Sequence, residues 1–281
     1  MALAENSLLA VLGAGVMGET LISGLLRSGW TADRLIATDR RPEVEREIAA
    51  RYGITMTTNA EAAAKADTVI LVVKPQDMRD LLVEIAPAVR PSTLIVSLAA
   101  GVDTAAIEEH LPKGIAVVRV MPNTPAQVDE GMAAISPGSH TDHDHLARVS
   151  EILSATGRVV TVPERYQDAV TAISGSGPAY LFFVVEAMIE AGVHLGLPRD
   201  TATELVVQTM LGSAKLLRET GEHPTVLRER VTSPGGTTAA AIRQLEEHKV
   251  RAAFITAMES ARDRSRELAK AARENGAGGH G

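Results

Sequence analysis

The stretch LLAVLGAGVMGETLISGLLRSG, Leu8 to Gly29, decides how the rest of the chain is read. An apolar run suited to a buried strand passes into Gly13-Ala14-Gly15-Val16-Met17-Gly18, and a helical spacing of apolar residues follows at once. Each glycine sits where a side chain would interfere. Gly13 permits a tight turn, Gly15 lets the backbone approach a pyrophosphate, and Gly18 allows helix and strand to pack closely. The helix start then presents N–H groups and partial positive charge to phosphate oxygens. A plain glycine turn would need neither the strand before nor the helix after, so the setting makes a weak pattern specific for a dinucleotide.

Outward from this point, LIATD (35–39), TVILVV (68–73), TLIVSLA (93–99), IAVVRVMP (115–122) and MAAISPG (132–138) read as further strands, the inner ones almost wholly apolar. Such runs belong to a sheet covered on both faces. Helical spacing over 17–28, 43–52, 78–89 and 103–111 alternates with them, which predicts a doubly wound α/β domain with a mainly parallel sheet over residues 1–162. From Pro163 no period-2 segment follows, so 163–281 is expected to be an all-α domain, with a solvated tail from about 271. Its best-marked helix is expected to open at Thr201, where Thr201 and Glu204 have capping-box spacing.

Composition narrows the classes of function. With 281 residues, 45% of them hydrophobic, and a net charge of -7, the chain is globular and not built to grip polyanions, so nucleic acid is not an expected partner. Aromatic residues make up 2%, which leaves few platforms for stacking bases. No cysteine occurs, so thiol nucleophiles, thiolate metal sites and disulfides are absent, in keeping with a cytoplasmic location. MALAENSLLAV has no basic leader region, and charges such as Lys74 and Glu186 interrupt the apolar runs, so neither secretion nor a membrane span is expected. His140, His143 and His145 read as a solvated loop, and no metal site is assigned. Glu186 and Glu190 read as an interface or solvent stripe, and His194 as a partner for a helix C-terminus.

The second strand ends at Thr38-Asp39-Arg40-Arg41. An acid there suits the ribose hydroxyl of NAD, whereas the arginines suit the 2'-phosphate of NADP, and solvated charges opening the next helix would read the same way. Val73-Lys74-Pro75, Ala99-Ala100-Gly101 and Met121-Pro122-Asn123 lie at the carboxyl ends of later strands, where ligands of open α/β sheets bind. Two glycine-rich motifs interrupt the helical half: ISGSGPAY (173–180) and VTSPGGTT (231–238). Backbone N–H groups and hydroxyls at a helix start suit a small carboxylate, although a helix-breaking turn with capping residues has the same appearance.

GAGVMG, VKP, AAGV, MPNTP, ISGSGPAY and VTSPGGTTAAA, in this order, closely resemble the pyrroline-5-carboxylate reductase family from about Leu8 to Leu268. The resemblance implies reduction of the cyclic imine 1-pyrroline-5-carboxylate to L-proline with NADPH or NADH. It also implies a Rossmann domain followed by a helical domain that interlocks with a second subunit, in dimers that often form rings. Carried over by position, cofactor contacts fall on Gly13, Ala14, Gly15, Val16, Met17, Gly18, Asp39, Arg40, Asn59, Val73, Lys74, Pro75, Ala99, Ala100 and Asn123. Substrate contacts fall on Ser233, Gly236, Thr237 and Thr238, with Ser176 of the SGSGP motif beside the nicotinamide. Many family members have Asn-Arg where this chain has Asp39-Arg40, which leaves the choice between NADPH and NADH open at this point. A protonated imine accepts hydride without an elaborate proton relay, so orientation supplies much of the rate, and the hydroxyl of Thr238 is the expected partner of the ring nitrogen. Two rivals are a 3-hydroxyacid dehydrogenase and a non-catalytic dinucleotide sensor. The first wants a lysine early in the helical half, and none occurs between Lys113 and Lys215; the second has no use for the SGSGP and SPGGTT motifs.

Overall fold

Alternation within each central strand divides the apolar residues between two cores. On β1 (Leu9–Leu12), Leu9 and Val11 enter one cluster and Ala10 and Leu12 the other, because successive side chains leave a strand on opposite faces. The computed structural model describes residues 7–277, with side chains through residue 270. After β1 come α1 (Val16–Arg27), β2 (Leu35–Thr38), α2 (Pro42–Tyr52), β3 (Thr55–Met56), α3 (Asn59–Lys65) and β4 (Thr68–Leu71). They are followed by α4 (Met78–Ile85), β5 (Leu94–Ser97), α5 (Thr104–Glu108), β6 (Ala116–Met121), β7 (Gly131–Pro137), α6 (His143–Ser154) and β8 (Gly157–Thr161). One sheet holds all eight strands in the order β3-β2-β1-β4-β5-β6-β7-β8, parallel throughout except where β6 meets β7. Helices α1, α2 and α6 cover one face and α3, α4 and α5 the other.

Six strands match the sequence reading, and β3 and β8 are additions. β3 has two residues and β8 a mixed exposure along its length, so neither carries a clear hydrophobic period. The expected loop around the three histidines is partly helical. His143 and His145 lie in the first turn of α6, where Asp142 accepts from His145 N–H at 2.9 Å and the His145 ring accepts from Asp142 N–H at 3.2 Å. His145 is therefore half of a capping box.

The remaining helices are α7 (Gln167–Val170), α8 (Gly177–His194), α9 (Arg199–Thr220), α10 (Pro224–Arg230), α11 (Thr237–Glu247) and α12 (Val250–Ala277). Contacts divide the chain into one unit of Met1–Ser176 with Ala261–Gly281 and another of Gly177–Ser260. The division falls later than the change of texture at Pro163, because the residues just after that proline are anchored on the sheet. Gln167 is fully buried and donates through Nε2 to Ala134 C=O and Ser136 Oγ, both on β7. The end of the chain returns to the same unit, where Ser265 Oγ donates to Asp168 Oδ1 at 2.8 Å. Helix α12 runs through Ala277, so the expected tail is helical to that residue, and 278–281 lie outside the described residues.

One further expectation needs correction. Helix α9 starts at Arg199, after Pro198, so Thr201 lies inside its first turn and caps nothing; proline with its fixed φ sets the start instead. The helical run Glu164–His194, with a hydropathy of 1.4, is long and apolar enough to cross a membrane by length and composition, despite Glu186 and Glu190. Glu190 is held by both guanidinium nitrogens of Arg199 on α9, at 2.7 and 3.2 Å.

Candidate active site

The turn after β1 is shaped by what surrounds each glycine. Gly13 has φ +105°, and a Cβ there would meet the carbonyl oxygen of Val72; a Cβ on Gly18 would meet the carbonyl of Gly13 itself. Neither position has room for a methyl group, whatever is bound. Gly15 differs, since the nearest atom to its would-be Cβ is Arg41 Nη2 at 3.7 Å. Helix α1 opens on Gly15 without a side-chain cap, and Val16 behind it is 70% exposed. Open space beside uncapped N–H groups is what a pyrophosphate requires, so these residues fit a dinucleotide. The turn is secured from behind by Gly13 and Ala14 N–H, which both donate to Thr38 C=O at 3.0 Å.

Two adjoining cavities open at the carboxyl ends of the strands and share Gly15, Val72, Val73 and Lys74. The larger, about 780 Å³, receives Gly13, Asp39, Arg40 and Asn59 from the predicted set. Here the two arginines after β2 part company. Arg41 grips Asp39 through Nε at 2.9 Å and Nη2 at 3.1 Å, while Arg40 reaches Asp77 at 2.7 Å. Burial pushes the Asp39 carboxyl up, but hydrogen bonds from the Arg41 side chain and backbone and the Arg41 charge outweigh it and hold the group below the usual carboxylate range. Asp39 is therefore an anion already paired. Asn59 is likewise engaged, between Thr38 Oγ1 at 2.6 Å and Glu84 Oε2 at 2.9 Å.

The smaller cavity, about 400 Å³, receives Val16, Met17, Ala100 and Asn123, together with Gly175. Four of the predicted cofactor contacts line neither cavity: Ala14, Gly18, Pro75 and Ala99. Ala14 and Ala99 are buried beneath the surface, and Gly18 is a packing position. Arg41, Thr38, Asp77 and Glu84 line the larger cavity and were not in the predicted set. Arg41 had a signal, being basic and next to Arg40, whereas Asp77 and Glu84 join the site only through the packing of the residues after β4.

In the second unit, Ser233, Gly236, Thr237 and Thr238 share one turn. Ser233-Pro234-Gly235-Gly236 closes with Gly236 N–H donating to Ser233 C=O at 3.0 Å, and Gly235 has φ +68°. Proline followed by a glycine of positive φ is the type II pattern. Gly236 then starts α11 without a side-chain cap, so Thr237 and Thr238 present their first-turn N–H groups. Ser176 belongs to the first unit, as its last residue.

Strand order β3-β2-β1-β4-β5-β6, a glycine turn that fits pyrophosphate after β1 and cavities at the reversal of strand order between β1 and β4 define a dinucleotide-binding protein of the Rossmann class. Comparison with known proteins takes this further. Residues 164–268 match the family model for pyrroline-5-carboxylate reductase dimerisation, and residues 8–101 match the model for NADP oxidoreductase, coenzyme F420-dependent. A pyrroline-5-carboxylate reductase of Corynebacterium melassecola is 47% identical over 93% of this chain and 98% of its own. One from Methanosarcina acetivorans is 42% identical over 95% and 99%. The structure of the Coxiella burnetii pyrroline-5-carboxylate reductase superposes with a TM-score of 0.89 at 37% identity, covering 94% of this chain and 98% of that one. The Plasmodium falciparum pyrroline carboxylate reductase, solved with NADP bound, gives 0.84 at 29%, covering 94% and 99%. The chain belongs to the pyrroline-5-carboxylate reductase family.

Proposed function

We propose that this protein reduces 1-pyrroline-5-carboxylate to L-proline, the last step of proline synthesis, with NADPH as the reductant. The observation that carries the reading is 47% identity to a pyrroline-5-carboxylate reductase along 93% of the chain, which takes in the sheet and the helices alike. NADPH is favoured by the NADP oxidoreductase model over residues 8–101 and by the NADP in the Plasmodium falciparum relative. The reduced nicotinamide, when bound, supplies a hydride. The chain supplies the rest. First-turn N–H groups of α1 bind the pyrophosphate, and Asp39 with its two neighbouring arginines reads the ribose. Ser233 and the first-turn N–H groups of Thr237 and Thr238, set in place by the turn at Gly236, hold the substrate carboxylate, with Ser176 as a further contact. The Thr238 hydroxyl hydrogen-bonds the ring nitrogen and keeps its proton in place, so that the imine carbon is electrophilic without a dedicated base.

Residues 1–162 form the dinucleotide-binding domain in this reading, and 163–281 the substrate-binding and dimerisation domain. Leu181, Phe182 and Phe183 on α8 are 52, 67 and 71% exposed, an apolar face that a second copy of the chain covers. The apolar run that could cross a membrane is thus an interface helix of a cytoplasmic enzyme, and the dimers assemble further into a ring.

The test is nicotinamide oxidation by the purified protein. Absorbance falls when 1-pyrroline-5-carboxylate is added and holds without it; no fall with the imine, or turnover of a 3-hydroxyacid instead, overturns the reading. Thr238→Ala lowers kcat/KM about 10 to 100-fold through loss of one hydrogen bond in the transition state. An unchanged kcat/KM removes Thr238 from the mechanism.

A further inference from the structure

The carbonyl of Ser174 lacks the i+4 N–H partner that a continuous α-helix gives every carbonyl. In a continuous α-helix that oxygen accepts the N–H four residues on, and the residue there is Pro178, which has none. A proline ring also crowds the carbonyl four residues before it, and the backbone is widened at this place: Thr171–Gly175 form a π-helical turn, closed by Ser176 N–H donating to Thr171 C=O at 2.8 Å. The missing donor comes from elsewhere in the chain. Asn123 Nδ2 donates to Ser174 C=O at 3.2 Å, and Asn123 Oδ1 accepts Met132 N–H at 2.8 Å. A backbone N–H only donates and a carbonyl only accepts, so the two partners fix which way the amide points.

Both ends of the Asn123 amide are thus occupied within the protein, although the residue lines the same 400 Å³ cavity as Gly175. We propose that Asn123 is a positioning residue: it supplies the hydrogen bond that Pro178 withholds from Ser174, and so fixes the ISGSGP turn against the end of β6. The kinetic part of this proposal rests on the function given above; the structural part does not. Orientation of a small ring and a cofactor supplies much of the rate of hydride transfer, so a turn left loose lowers turnover more than it lowers binding.

Asn123→Asp retains an acceptor for Met132 N–H and removes the donor to Ser174, while Asn123→Ala removes both. Three quantities are compared with wild type: the NADPH dissociation constant from nicotinamide fluorescence without substrate, kcat, and hydrogen exchange at single amides. For Asn123→Asp, the dissociation constant stays within about twofold, kcat falls about tenfold or more, and exchange at Ser176 quickens about tenfold. Met132 stays protected in Asn123→Asp and loses protection in Asn123→Ala. NADPH binding weakened about tenfold with Ser176 exchange unchanged overturns the proposal and makes Asn123 a direct cofactor ligand.

A double-mutant cycle tests the link to proline. Pro178→Ala returns a backbone donor to Ser174, so Asn123→Asp quickens Ser176 exchange less in that background; equal effects in both backgrounds overturn the proposal. Should the Asn123 variants not fold, the wild-type protein decides. The side-chain NH2 of Asn123 is protected from exchange with and without NADPH, and exchange at the solvent rate overturns the idea. A wild type that leaves NADPH unoxidised in the presence of the imine defeats the proposed function, whereas the binding and exchange measurements still decide the role of Asn123.

Discussion

Gly15 and Gly18 lie three positions apart and answer to different demands. A methyl group on Gly18 meets the Gly13 carbonyl, so Gly18→Ala destabilises the fold by about 1–3 kcal/mol, as overpacking does, seen as a lower denaturation midpoint. On Gly15 a methyl group finds open space, so Gly15→Ala leaves the midpoint unchanged and fills the phosphate seat, weakening NADPH about tenfold or more. Equal stability losses in the two variants would count against the assignment of Gly15 to the cofactor. The glycine pattern was legible because each glycine follows from local geometry. The arginines were not. Arg40 and Arg41 are alike in sequence, and only folding brings Asp77 to Arg40 while Arg41 turns back onto Asp39. In the proposed NADPH site, that pairing assigns to Arg41 the task of letting a 2'-phosphate approach Asp39. Arg41→Ala leaves the carboxylate uncompensated, so the NADPH dissociation constant rises about tenfold and that for NADH changes less than about twofold. Parallel titrations with the two nucleotides measure this, and equal losses for both would place Arg41 outside the ribose site.

Among the elements, α6 shows how a motif changes meaning once its helix is placed. Three histidines near one another suggest a metal or a loop, but His145 stands three residues after Asp142, and the pair closes the end of the helix. The N–H of His145 is the main influence holding the Asp142 carboxyl below its ordinary range; burial opposes it, and the charge of His145 adds to it. A carboxyl with a lowered folded pKa stabilises the folded state above its unfolded pKa, and the contribution is lost as pH falls through the folded value. Acid titration followed by NMR therefore shows the His145 amide losing its hydrogen-bonded shift below the ordinary aspartate range, while Asp142→Ala lacks the transition. A transition in the ordinary range would mean that the box contributes nothing. The elements missed from sequence, β3 and β8, are short strands whose place is fixed by pairing with β2 and β7 rather than by their own pattern. The start of α9 was misplaced because a local capping pattern at Thr201 competed with Pro198 and lost.

At the scale of the whole molecule, the exposed face of α8 calls for a partner, and the match of residues 164–268 to a reductase dimerisation model agrees with a second copy. Replacing Phe182 and Phe183 together by Glu puts charge into that face and gives a smaller species by sedimentation, with loss of imine reduction. An unchanged mass would show that the interface lies elsewhere, and the same measurement on wild type counts the subunits of the proposed ring. The sequence by itself determined the doubly wound domain, its glycine turn and the two motifs of the helical half, because strand periodicity, helix starts and glycine geometry are set by neighbours a few residues away. Only the tertiary structure decided that the residues from Pro163 to Ser176 belong with the sheet, that Arg41 holds Asp39, and that Asn123 completes the turn before Pro178. Those contacts join residues distant in the chain or choose between identical neighbours, and nothing in local preference selects them before the sheet is formed.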